Sequence, residues 1–78
     1  MVKDRTSTGF NLKAIGRRIR ELRGSEITQA QLARFLRITQ AQLSRIECGK
    51  RAPSADVLFR LRRKFKKSVD WILTGKEG

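Results

Sequence analysis

Four side chains near the middle of the chain have the hydrogen-bonding and contact repertoire of base-pair edges. Gln40 carries a carboxamide that can pair with the N6/N7 edge of adenine, and Arg45 a guanidinium fork that matches O6/N7 of guanine. The Ala41 methyl suits the methyl of thymine, and the Ser44 hydroxyl can donate or accept at either base type. On a helix, at about 100° per residue, Leu43 and Ile46 point one way and Ala41, Ser44, Arg45 and Cys48 the other, with Gln40 at the edge. Arg45 is the one charge on that outer face. A small polar face is what close approach to base edges requires, because bulky charged chains would hold the helix out of a groove. The other reading of the same pattern is a solvated face on which Gln40 and Gln42 serve only local capping.

The elements around this face are legible from their caps. Thr39-Gln40-Ala41-Gln42-Leu43 repeats Thr28-Gln29-Ala30-Gln31-Leu32, eleven residues earlier. Each copy contains Thr-x-x-Gln, a capping box in which the Thr hydroxyl and the Gln side chain satisfy exposed amides at a helix start. Two such starts so close together predict two short helices joined by a tight turn at Arg37-Ile38, with the second ending at Gly49. Upstream, Asn11 caps a helix to about Arg23, with Leu12, Ile15, Ile19 and Leu22 on one stripe, Phe10 closing over Ile15, and Gly24 as the stop. Downstream, Lys50-Arg51-Ala52-Pro53 reads as a loop and Ser54 caps a fourth helix, whose inner face is Leu58, Leu61 and Phe65 with Val57 flanking. Ser68 caps a fifth helix, Val69–Thr74, stopped by Gly75. The expected architecture is all-α: a mobile arm over residues 1–10, then one compact five-helix domain over 11–78.

Composition narrows the chemistry. Nineteen Lys and Arg against seven Asp and Glu give a net charge of +12 in 78 residues, which suits a polyanionic partner. There is no His, no Gly-rich phosphate loop, no metal-ligand cluster, and no nucleophile paired with a base, so neither catalysis nor a cofactor or metal is expected. No small-molecule ligand is evident. No apolar run approaches the roughly 20 residues that span a bilayer. The single cysteine, Cys48, cannot form an intramolecular disulfide and fits a reducing, cytoplasmic setting.

The segment from Ile15 to Gly75 resembles the phage repressor and Cro-type (XRE-like) helix-turn-helix family. The matching pieces are Arg18-Ile-Arg-Glu-Leu-Arg23, the two Thr-Gln-Ala-Gln-Leu runs with Ser-Arg-Ile-Glu-Cys-Gly-Lys-Arg51 after the second, Pro53-Ser54, and Ser68-Val-Asp-Trp-Ile-Leu-Thr-Gly75. The resemblance implies a lambda-repressor-like fold with helices 2 and 3 as the motif. It implies base contacts from Gln40, Ala41, Ser44 and Arg45, and phosphate contacts from Gln29, Thr39, Gln42, Lys50 and Arg51. It implies a structural ion pair between Arg23 and Glu47, and a largely buried Trp71. The implied partner is double-stranded DNA, bound by a homodimer at a pseudo-palindromic operator. The chain departs from the pattern in four ways, one of them Arg62 where a small residue is common. Arg37 stands where the turn usually has Gly, Lys66-Lys67 replaces the usual Gly-Val, and the link from Arg23 to Gln29 is one residue shorter, which would end the first helix early.

The basic run Arg62-Arg63-Lys64-Phe65-Lys66-Lys67 reads as a solvated face on which the cations suit a helix C-terminus; the other reading is a second nucleic-acid patch. Cys48 reads as an incidental small residue. The expected function is sequence-specific DNA binding by a transcriptional regulator, a repressor above all. An interaction module that also binds DNA, antitoxin-like, is the rival, and a cationic membrane-surface protein the more distant one. The exposed apolar candidates for a dimer contact are Val69, Ile72 and Leu73, some of which must serve the core.

Overall fold

Side-chain oxygens start every helix among the described residues. In the computed structural model, which describes residues 10–76, Asn11, Thr28, Thr39, Ser54 and Ser68 each accept a hydrogen bond from the backbone N–H three residues on. The helices are α1 (Leu12–Arg23), α2 (Gln29–Leu36), α3 (Gln40–Glu47), α4 (Ala55–Phe65) and α5 (Val69–Thr74), with no strand among the described residues. Both Thr-x-x-Gln boxes are closed: Thr28 and Thr39 Oγ1 accept from Gln31 and Gln42 N–H, and the two Gln Oε1 atoms accept from the Thr N–H groups at 2.9 and 2.8 Å. The arm expected over residues 1–10 lies outside the described residues except for Phe10, which is 45% exposed.

One apolar core joins the five helices. Ile19, Leu32, Leu36, Leu43, Leu61 and Ile72 are fully buried, with Ile15, Ala33, Ile46 and Val57 beside them. α1 packs on α3 and α5, α2 on α3 and α4, and α4 on α5. The core corrects the reading of α4 and settles which apolar residue of α5 turns inward. On α4, Val57 is buried and Leu58 only half-buried, because the helix turns its Val57–Leu61 edge inward. Ile72 is core and therefore unavailable for a dimer contact. Trp71 is partly buried against the core, in line with the resemblance, with Lys67 Nζ 4.8 Å from its ring centre.

The turns absorb the departures from the family pattern. α1 keeps its full length to Arg23, and the short link is taken up at Gly24, whose φ of 68° and ψ of −161° redirect the chain. Arg37 adopts the left-handed conformation (φ 62°, ψ 41°), and so does Lys66 (φ 57°). A side chain there costs energy that glycine would not. One further contact was not foreseen. Arg18 Nη1 donates to the Ile72 carbonyl at 2.9 Å, so α1 caps the C-terminal end of α5.

Candidate nucleic-acid interface

α3 is held against α1 at unusually close range. A Cβ on Gly16 would collide with the Ile46 and Glu47 carbonyls, so the glycine lets the two backbones touch. α3 ends at Cys48 with Gly49 left-handed (φ 79°), and the Gly49 and Lys50 N–H groups bond back to the Ile46 and Arg45 carbonyls. This double bond-back, a Schellman motif, fixes where Lys50 and Arg51 leave the helix. Both are exposed beside its C-terminal end.

Leu43 and Ile46 are buried, as expected of the inner side. Gln40, Ala41, Arg45 and Cys48 are exposed and Ser44 is half-buried. The four residues proposed from the sequence to meet bases therefore lie on one outward surface of α3. The five expected at phosphates border it: Gln29 and Thr39 at the helix starts, Gln42 in the first turn of α3, and Lys50 and Arg51 beyond its end. Thr39 and Gln42 spend their acceptor oxygens on the cap, which leaves the hydroxyl proton and the amide N–H groups, the donors a phosphate needs.

A polar network underlies the surface. Arg23 clamps Glu47 through Nε–Oε2 at 2.8 Å and Nη2–Oε1 at 2.9 Å, and its Nη1 donates to the Ile27 carbonyl at 3.2 Å. The Glu47 side chain is 3% exposed and that of Arg23 16%. The paired carboxylate holds the Arg23 pKa above its usual value, by hydrogen bonding first and by charge attraction, while burial opposes the shift. Glu47 Oε1 also accepts from Gln29 Nε2 at 3.0 Å, and Gln29 Oε1 accepts from Gln40 Nε2 at 3.3 Å. A carboxylate can only accept. It therefore turns the Gln29 nitrogen inward and the Gln29 oxygen toward Gln40, and Gln40 keeps its own oxygen and one N–H outward. That remaining pair has the pattern needed for the N7/N6 edge of adenine. Gln29 is thus half-buried and doubly engaged inside the chain, with one N–H left for a phosphate. Its link to Glu47 spans eighteen residues, and no local signal in the sequence carried it.

The sequence matches the helix-turn-helix family HTH_3 over residues 17–72. The chain belongs to the helix-turn-helix family. Its fold is similar to that of the P22 c2 repressor in complex with a synthetic operator, with 28% identity and a TM-score of 0.73 over 80% of this chain and 96% of that one. It is similar to the N-terminal DNA-binding domain of SinR from Bacillus subtilis, at 26% identity and TM-score 0.67 over 77% of this chain and 90% of that one. It is also similar to Bacillus thuringiensis PlcR in complex with the peptide PapR7 and DNA, at 30% identity and TM-score 0.68 over 77% of this chain but only 21% of that one. Comparison by sequence with curated proteins gives no match. In this helix-turn-helix protein the motif is α2, the Arg37-Ile38 turn and α3. Among the described residues no helix is long and apolar enough to cross a membrane, and no His, Cys, Asp and Glu side chains cluster to hold a metal.

Proposed function

We propose that the chain is a DNA-binding transcriptional regulator, a repressor, that reads a specific double-stranded site with α3. The observation that carries this reading is the outward face of α3, uncharged but for Arg45, with its first base-facing side chain, Gln40, steadied from behind by Gln29, Glu47 and Arg23. Gln40, Ala41, Ser44 and Arg45 meet base edges in the major groove. Gln29, Thr39, Gln42, Lys50 and Arg51 grip phosphates on either side and set the register. The charge of +12 adds sequence-independent attraction that salt weakens.

The protein works in the cytoplasm as a homodimer on a pseudo-palindromic operator, with half-sites about 34 Å apart, one turn of the duplex. It needs no cofactor and performs no catalysis. Selection of bound sequences from random duplex DNA at moderate salt tests the reading. A short site recovered as two inverted halves supports it, and recovery of unrelated sequences with uniform affinity overturns it.

A further inference from the structure

A second exposed surface lies at the opposite end of α2. Phe35 is 42% exposed and Phe59 53%. Phe35 follows Gln29 by six residues, which at about 100° per residue turns it about 120° away from the cluster joining α2 to α3. It lines an open cleft of about 440 Å³ with Arg37, Arg60, Arg63 and Lys64, and no carboxylate is among these lining residues. Lys64 Nζ sits 4.7 Å from the Phe35 ring centre, and Arg63 Cζ 5.8 Å from that of Phe59. The DNA-reading face uses none of Phe35, Phe59, Arg60, Arg63 and Lys64.

Exposed rings set among cations match a partner that is both anionic and apolar. We propose that this surface docks an acidic protein segment, whose carboxylates pair with Arg60, Arg63 and Lys64 while an apolar side chain packs on Phe35 and Phe59. Duplex DNA would supply the anions but nothing to cover the rings. Carboxylates pair with the guanidinium groups of Arg60 and Arg63 in two-pronged fashion, and Arg63 can do so without leaving the Phe59 ring. The surface would give this small regulator a means of responding to another protein while α3 stays on DNA. It goes beyond the DNA-binding reading and does not depend on it.

The test uses the whole chain, a short fluorescein-labelled peptide of Asp and Glu bearing one Leu and one Phe, and the same peptide with Leu and Phe replaced by Ser. Two variants alter the surface by different means: Phe35→Ala/Phe59→Ala, which keeps the charge, and Arg63→Glu/Lys64→Glu, which keeps the rings. Arg17→Glu/Arg20→Glu, on the exposed side of α1, repeats the charge change elsewhere. At physiological salt each surface variant should lose about tenfold or more in peptide affinity, the α1 control much less, and the Ser peptide should bind weakly to all. Binding of a random duplex should fall equally in the two charge-reversed proteins. The proposal is overturned if no peptide binding occurs, if the control loses as much as the surface variants, or if the Ser peptide binds as well. A selective loss of duplex binding in Arg63→Glu/Lys64→Glu also overturns it, because the surface would then be a second DNA contact.

Discussion

α2 and α3 begin with the same five residues, cap included, and the same closed capping box, and they sit in different surroundings. Both bury their Leu, at 32 and 43, completely. They diverge at the second residue and at the end. Gln29 is half-buried and bonded on both sides, whereas Gln40 is exposed and bonded once. α2 closes on Phe35-Leu36 and α3 on Ile46-Glu47, so where one helix ends in core the other ends in a buried carboxylate. That carboxylate separates the twins, because it turns Gln29 inward and leaves Gln40 out. Identical local sequence gives identical local structure here, and the role follows from what each copy packs against.

The largest expected effect comes from breaking that carboxylate's pairing. Arg23→Ala leaves Glu47 charged and nearly sealed from water, which costs about 3–5 kcal/mol. A domain of this size has about 4–12 kcal/mol in all, so urea unfolding should show a sharply lowered midpoint. A change under 1 kcal/mol would mean that the clamp is dispensable.

Next in size are Arg45 and Gln40, two of the four side chains proposed to face bases. Arg45→Ala should cost about 1–3 kcal/mol on the selected site and relax one base position per half-site. Gln29→Ala and Gln40→Ala should be non-additive, since the first frees the amide of the second; a double-mutant cycle on the operator measures this. Strict additivity would disconnect the network from reading.

The caps and turns come third. Thr28→Ala and Thr39→Ala should each destabilise by about 1 kcal/mol, but only Thr39→Ala should also weaken DNA binding. Equal effects on binding would erase the distinction between the twins at their starts. The helix ends offer a related contrast. α2 and α3 finish with the same backward bonds, yet the left-handed residue is Arg37 in one and Gly49 in the other. Arg37→Gly should stabilise by about 0.5–1 kcal/mol, the left-handed strain of about 1–2 kcal/mol relieved less the entropy glycine loses on folding. Gly49→Ala should destabilise, because its Cβ would meet the Lys13 backbone; thermal melts of both variants check the pair. The smallest effect is that of Lys50→Ala, which should lower the slope of log affinity against log salt by about 1 without altering base preference.

The helices were legible because their signals are local. Five side-chain caps, the stops at Gly24, Gly49 and Gly75, and the inward residues of α1 and α3 all fall within a few positions of one another, and the structure keeps every one. The left-handed backbone of Arg37 followed from its place in a turn that usually holds glycine. What escaped depended on distant partners. Gly16 packs on the end of α3, Arg18 caps α5 across fifty-four residues, and Gln29 bonds to Glu47. Val57 and Leu58 could not be ranked from periodicity, because one helical stripe admits either neighbour until α4 is docked. Phe59, the most exposed of the large apolar side chains among the described residues, lies just before the run read for its charges and drew no notice.

The most direct test of the division between positioning and reading is a full base-preference measurement for the wild type and Arg45→Ala on the selected operator. The account predicts that preference flattens at one position in each half-site while the others persist. A uniform loss of affinity at every position would contradict it and make Arg45 a backbone contact.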